Sequence, residues 1–282
     1  MNYLKLIRFD KPIGTLLLLW PTLWGLWVAS QGVPNYWLLV VFILGVFLMR
    51  SAGCIINDIC DRNFDGSVTR TKLRPLVTTI DQERVKLTHA VIFAVVLVGL
   101  AFLLVLSLLN IKLIMHSFIA FLLAAVYPLC KRFFACPQFV LGLAFGYGIP
   151  MAFVAVQGDV PSVGWLLYFA SVILTIIYDS FYAMSDLEDD FVLGLKSSVI
   201  WFGQYTFTVI IALQLALIMI LFMIGYLLEF KTYYCSVFLV SLLFVYQLKL
   251  ASSNQPEDVI RAFKNSNWVG LVIFLGFVFE YL

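Results

Sequence analysis

Two short stretches hold most of the side chains in this sequence that could do chemistry. "NDICDRNFD" at residues 57–65 sets Asn57, Asp61 and Asp65 four residues apart, and "DSFYAMSDLEDD" at 179–190 sets Asp179, Asp186 and Asp190 at intervals of seven and four. On an α-helix turning about 100° per residue, Arg50, Asn57, Asp61 and Asp65 fall in one stripe roughly 80° wide. Asp179, Asp186 and Asp190 fall in a second stripe about 40° wide, while Glu188 and Asp189 point elsewhere. The shared seven-then-four spacing hints at an internal duplication.

Two carboxylate stripes brought together repel each other unless cations lie between them. Mg²⁺ takes hard oxygen ligands from Asp, Asn and water, and commonly bridges protein carboxylates to substrate phosphates. Arg70, Lys72 and Arg74 follow the first stripe and Lys196 follows the second. Arg presents forked donors and Lys a compact charge, so a phosphate is the natural third party.

The elements that must position these groups are membrane helices. The chain is 63% hydrophobic and 12% charged, against about 25% charged for a soluble domain. Apolar runs of nearly the length needed to cross a bilayer, roughly 20 residues, occur at about 13–31, 36–56, 87–109, 111–128, 137–157, 163–184, 205–226, 231–249 and 267–282. The expected fold is all-α and polytopic, with nine transmembrane helices surrounding a central cavity and Asp-rich cytoplasmic loops. Continuous runs exclude a barrel, whose strands alternate. With no soluble domain or low-complexity tract visible, residues 1–282 read as one integral membrane domain.

Apart from Lys112, Lys231 and the intraspan Arg50, all 18 Lys and Arg lie on one side of this topology. The positive-inside rule makes that side cytoplasmic, so the N-terminus and both Asp-rich segments face the cytoplasm and the C-terminus lies opposite. No cleavable signal or Arg- and Ser-rich transit peptide precedes the first run, which favours a bacterial inner membrane. The five cysteines form no CxxC pair and read as small buried residues. His89 and His116 read as polar packing contacts. Long cytoplasmic connections are expected at 57–86 and 185–204, with a moderate one at 250–266.

Arg50 falls inside the second run, where a helix-centre position costs roughly 2.5–3.5 kcal/mol. Snorkelling to the interface would offset that cost, and so would an anionic group in an internal cavity. Diphosphate at the membrane surface with a greasy cavity beneath suggests a lipid diphosphate. Metal and basic residues would make its diphosphate a leaving group. An allylic chain then becomes a carbocation, which the aromatic faces of Tyr127, Phe145, Tyr147 or Tyr182 could stabilise.

At this point the sequence resembles a known family. "NDICDRNFD" matches the NDxxDxxxD motif of the UbiA superfamily of membrane prenyltransferases, and "DLEDD" matches its second motif, DxxxD. "RFDKPIGTLLLLWPTLWGLW", "YPLCKRFFACPQFVLGLAFGYGIPMAF" and "AFKNSNWVG" extend the likeness over nearly the whole chain, closest to the 4-hydroxybenzoate polyprenyltransferase branch. The resemblance implies transfer of a polyprenyl group from polyprenyl diphosphate to the ring carbon ortho to the phenol of 4-hydroxybenzoate, a step of ubiquinone biosynthesis. It implies that Asn57, Asp61, Asp65, Asp186 and Asp190 hold Mg²⁺ and diphosphate, with Asp58 completing the motif but off the stripe. Arg70, Arg74 and Lys131 would grip the diphosphate, Arg50 the acceptor's carboxylate, and Asp179 would position its ring. Leu187, "RPLVTT" and Phe181 depart from the branch's usual Arg, "RPLPSG" and Gln.

Other acceptors (homogentisate, dihydroxynaphthoate or haem) define the nearest alternatives. The CDP-alcohol phosphotransferase signature is only begun, by "DGSVTR", and never completed. An ion-coupled transporter would keep its ionisable groups near the bilayer midplane, whereas these sit at helix ends. The expected partners are the lipid bilayer and the two substrates, with no nucleic acid and no obligate protein partner evident.

Overall fold

The computed structural model describes residues 2–62, 74–77, 85–130 and 132–282. These residues form thirteen α-helices and a single 3₁₀ turn, with no strand among them. In order the helices are α1 (Asn2–Leu6), α2 (Ile13–Ser30), α3 (Tyr36–Asp61), α4 (Leu87–Leu106), α5 (Ile111–Cys130), α6 (Pro137–Gly146), α7 (Gly148–Gln157), α8 (Ser162–Ser185), α9 (Leu187–Val192), α10 (Ser198–Phe202), α11 (Thr206–Leu227), α12 (Tyr233–Ala251) and α13 (Pro256–Glu280). Nine helical segments among the described residues are long and apolar enough to cross a membrane, with α6–α7 making one and α10–α11 another. The chain is a helical membrane protein.

Several helices run further than hydropathy indicates. The apolar run ending at 56 belongs to α3, which begins under the Asn35 side chain, an acceptor for Trp37 N–H and Leu38 N–H, and continues through Asp61. Asn57, Asp58 and Asp61 therefore sit on the last turns of a membrane helix, not in a loop. At the C-terminal end, α13 begins at Pro256, well before the apolar run at 267. Pro at the first helical position and acids in the first turn, Glu257 and Asp258, are helix-start signals that hydropathy cannot register. The expected loop at 250–266 is thus mostly helix, and 185–204 holds α9 and α10.

The second acidic stripe does not lie on one continuous helix. α8 ends at Ser185, and Asp186, with φ −108° and ψ 5°, begins α9. Ser185 Oγ donates back to the Tyr182 carbonyl at 2.6 Å, the local bonding by which such side chains compete with the helix ladder.

The main core joins α2, α7, α8, α11, α12 and α13, around buried Trp24, Phe153, Phe181, Tyr233 and Phe277. A smaller cluster gathers Leu6 of α1, Ala52 and Ile55 of α3, and Leu76 and Val85 of the following connection. That cluster fixes the segments on either side of the carboxyl end of α3. Both histidines make polar packing contacts: His89 Nδ1 with Tyr3 Oη and His116 Nδ1 with Tyr147 Oη, each at 3.1 Å. All five cysteines are free.

Candidate active site

A cavity of about 1470 Å³ opens between α2, α3, α4, α5, α6, α8 and the start of α13. Its polar end gathers residues that are far apart in sequence. Arg50, Asn57 and Asp58 come from α3, Arg74 from the connection after it, Asp179 from α8, Asp186 and Asp190 from the α8–α9 junction, and Lys196 from the segment beyond.

On α3, Asn57 Nδ2 donates to Asp61 Oδ2 at 3.1 Å, one helical turn on. The amide nitrogen is thereby engaged and the Asn57 carbonyl oxygen keeps its lone pairs for a cation. Asp61 stands just beyond the cavity lining and joins it through Asn57. Asp186 and Asp190 line the cavity, while Glu188 is exposed and Asp189 is outside the lining. The short helix α9 keeps the two lining carboxylates in register, with Asp190 N–H donating to the Asp186 carbonyl at 2.9 Å. Asp65, Arg70 and Lys131 lie outside the described residues.

Asp58 is the residue that helical projection undervalued. It is 1% exposed, and its Oδ1 accepts from Arg8 Nη2 at 2.6 Å and lies 3.1 Å from Arg74 Nη1. Leu6 and Leu76 share one hydrophobic cluster with Ile55 of α3, and two residues along the chain from each stand those two arginines. Arg8 and Arg74 both line the cavity, so this carboxylate holds two cations at the edge of the polar end. Arg8, and Lys264 of α13, which also lines the cavity, were not among the sequence candidates. Arg8 lacked a recognisable partner in the sequence, and Lys264 lay in a stretch read as a loop.

Arg50 lies deeper. Its guanidinium occupies the space that a side chain on Gly14 of α2 would fill, and Cζ sits 5.7 Å from the centroid of the Phe145 ring on α6. Glycine at 14 lets α2 approach, and the ring face offers a cation–π contact that lowers the cost of a charge in the membrane. Among the described residues no carboxylate or carbonyl accepts from Arg50. Its charge is therefore available to an anion entering the cavity.

Around Arg50, Tyr127, Phe145 and Tyr182 line the wall. Tyr147 does not: it is buried at the α6–α7 junction, stacked on His116. At Cys136, at the base of α6, burial pushes the thiol pKa up and the Asp179 carboxylate acts in the same direction, against backbone N–H groups that lower it. The segment carrying Lys196 is held from below: the Gln138 side chain accepts from Ser198 N–H at 2.9 Å, and Ser198 Oγ lies 2.8 Å from Ser180 Oγ. These are buried polar groups satisfied by one another.

Among the described residues no three His, Cys, Asp or Glu side chains converge tightly enough to hold a metal by themselves. Hard oxygen donors on facing walls suit Mg²⁺ nonetheless. That ion keeps waters and typically binds one or two carboxylates plus substrate phosphates, rather than an all-protein cage.

Residues 18–275 match the UbiA prenyltransferase family. The chain belongs to that family. Curated relatives at the level of half identity run the length of this UbiA-family chain. One is the 4-hydroxybenzoate octaprenyltransferase of Aeromonas hydrophila subsp. hydrophila, 50% identical over 100% of this chain and 97% of its own. Another is that of Escherichia fergusonii, 50% identical over 98% and 94%. Two solved structures share the fold. A UbiA homologue from Aeropyrum pernix K1 aligns with TM-score 0.82 at 22% identity, covering 98% of this chain and 99% of its own. A UbiA homologue from Archaeoglobus fulgidus bound to GPP and Mg²⁺ aligns at 0.72 and 18% identity, covering 99% of each.

Two departures from the branch pattern find places in this UbiA fold. Phe181 is fully buried in the α8 core and outside the cavity lining, so it acts on packing. Leu187 is exposed at the start of α9, beside Asp186.

Proposed function

We propose that this chain transfers a polyprenyl group from polyprenyl diphosphate to the ring carbon ortho to the phenol of 4-hydroxybenzoate, with Mg²⁺, releasing diphosphate as a step of ubiquinone biosynthesis. The observation that carries this reading is a single cavity with facing oxygen donors at its mouth, an available Arg50 beneath them and an apolar lumen below. The names of the relatives at 50% identity support the choice of acceptor.

Asn57, Asp61, Asp186 and Asp190, with Asp65 beyond the described residues, supply the donor set for Mg²⁺. When bound, that ion neutralises diphosphate and makes it a better leaving group. Arg74 lines the same end and adds charge-assisted donors for phosphate oxygens, a role extended to Arg70 and Lys131. Arg50 holds the acceptor carboxylate, and Asp179 on the facing wall orients the ring. The bond between the allylic carbon and the diphosphate oxygen breaks with its electron pair leaving on oxygen. The ring carbon then forms the new carbon–carbon bond and gives up its proton. The rings of Phe145, Tyr127 and Tyr182 face the cavity in which positive charge develops. We place the polar end at the cytoplasmic face of a bacterial inner membrane, with the C-terminus on the other side, from the distribution of Lys and Arg.

Membranes carrying the protein, supplied with 4-hydroxybenzoate, octaprenyl diphosphate and Mg²⁺, should yield prenylated hydroxybenzoate that disappears on chelation. Folded protein that prenylates homogentisate or dihydroxynaphthoate instead would overturn the acceptor assignment while leaving prenyl transfer intact.

A further inference from the structure

On both walls of the cavity the same rise separates a deep charged side chain from a donor at the polar end. Asn57 stands seven residues beyond Arg50 on α3, and Asp186 seven residues beyond Asp179 at the end of α8. Each interval is about 10 Å along the helix axis at 1.5 Å per residue. An aromatic acid whose carboxylate meets Arg50, and whose reacting carbon meets a chain held by its diphosphate at Asn57, must stand upright in that interval.

Between α8 and α13 the interval is closed by one ring. Tyr178 and Tyr182 line the cavity from α8, and Phe263 of α13 reaches both. Its centroid lies 6.0 Å from that of Tyr178, edge on, and 5.1 Å from that of Tyr182, tilted. Offset and edge-on contacts are the geometries that aromatic rings prefer. Tyr182 lies one turn above Tyr178, so Phe263 stands at the level the upright acid must occupy.

Phe263 is also held there. Val259, Ala262 and Ser266 of α13 are buried, whereas Ile260, Phe263 and Lys264, spaced as one helix face, line the cavity. On one flank Trp20 Nε1 of α2 donates to Asn267 Oδ1 at 2.8 Å, and Trp24 Nε1 donates to the Gly270 carbonyl at 3.0 Å. On the other, Gln247 Nε2 of α12 donates to Ser266 Oγ at 3.1 Å, and Gln214 Nε2 of α11 donates to Gln247 Oε1 at 3.2 Å. Polar side chains bonded across helices tie a membrane bundle together. These ties oppose any turn of α13 that would make room for a wider ligand.

We propose that Phe263 sets the width of the acceptor slot and confines it to a single aromatic ring, which makes it a specificity-determining residue of the reaction. The proposal rests on the acceptor reading above and adds to it the side chain that excludes wider rings. Truncating Phe263 extends the slot between α8 and α13 while leaving Arg50, Asp179 and the donors at Asn57, Asp186 and Asp190 in place.

The probe is 4-hydroxy-1-naphthoate. It keeps carboxylate and hydroxyl at opposite ends of one ring and one free carbon ortho to the hydroxyl, so the same carbon–carbon bond forms and the same proton leaves. Only a fused second ring is added. With octaprenyl diphosphate and Mg²⁺, the wild type should strongly prefer 4-hydroxybenzoate. Phe263→Ala should lower the ratio of kcat/KM between the two acids roughly tenfold or more, the scale on which apolar pockets discriminate by shape. The KM for octaprenyl diphosphate should not change. Phe263→Leu keeps more of the packing and should move the ratio the same way by less, which covers the case of an alanine variant that does not fold. Phe222→Ala, which removes an exposed ring on α11, should keep the wild-type ratio. Equal use of both acids by the wild type, or a wild-type ratio in the Phe263 variants, overturns the proposal and leaves prenylation of hydroxybenzoate standing. A wild type that prenylates neither acid overturns the acceptor reading and this proposal with it.

Discussion

Asp58 Oδ1 lies 2.6 Å from Arg8 Nη2, joining the membrane helix α3 to a segment 50 residues earlier in the chain. Arg74 Nη1 approaches the same oxygen at 3.1 Å. A buried carboxylate between two cations is a structural keystone as much as a chemical one, because removing it leaves both cations without their shared counter-charge.

Asp58→Ala should therefore destabilise the protein by about 3 kcal/mol, the low end for a broken buried pair, because both arginines keep partial contact with solvent. Arg8→Ala should cost less, about 1 kcal/mol, since Arg74 remains on the carboxylate. Thermal unfolding of purified protein in detergent measures both. Equal, negligible shifts would remove Asp58 from this role.

Arg50→Ala should raise the KM for the aromatic acid and lower kcat/KM by roughly tenfold or more, the worth of a hydrogen bond to a charged group. The KM for the prenyl diphosphate should hardly move. Gly14→Val should reproduce this pattern without touching Arg50, because the new side chain claims the space of the guanidinium. Initial rates with each substrate varied separately distinguish this from a general loss.

Mg²⁺ alone should stabilise the protein little, since no three acidic, His or Cys side chains converge among the described residues. Mg²⁺ with a non-reactive prenyl diphosphate analogue should raise the thermal midpoint, as any ligand binding only the native state does. Asp186→Asn or Asp190→Asn should weaken that joint shift and raise the Mg²⁺ concentration needed for half-maximal rate. A full shift from Mg²⁺ alone would show a preformed protein cage.

Gln138→Ala should lower stability by about 1–3 kcal/mol by orphaning the buried Ser198 N–H. Gln138→Glu keeps an acceptor oxygen and should restore much of it. Because Ser198 anchors the segment carrying Lys196, the alanine variant should also bind prenyl diphosphate less tightly, read as a raised KM for that substrate only.

The number of membrane-crossing segments and their helical type were legible in the sequence, nine among the described residues, because lipid offers the backbone no hydrogen-bond partners and run length dictates spans. The spacing of Arg50, Asn57 and Asp61 was equally legible, since α3 is continuous through all three. The angular reading of Asp179, Asp186 and Asp190 reached the right wall by a different route. Asp186 interrupts the helix, and α9 restores the register. The start of α13 was written in "QPEDV", but as capping chemistry rather than hydropathy.

What the sequence by itself determined was a membrane bundle with two acidic stripes, an intramembrane Arg50 and the chemistry such groups can share. Only the tertiary structure decided that Asp58, off the stripe, binds Arg8 and Arg74, that Gly14 makes room for Arg50, and that Trp20 and Trp24 tie α2 to α13. Periodicity determines where a side chain lies around its own helix axis. It carries no information about which neighbour stands opposite or how closely two helices approach, and those distances decide whether a charge is paired, sheltered or left to meet a ligand.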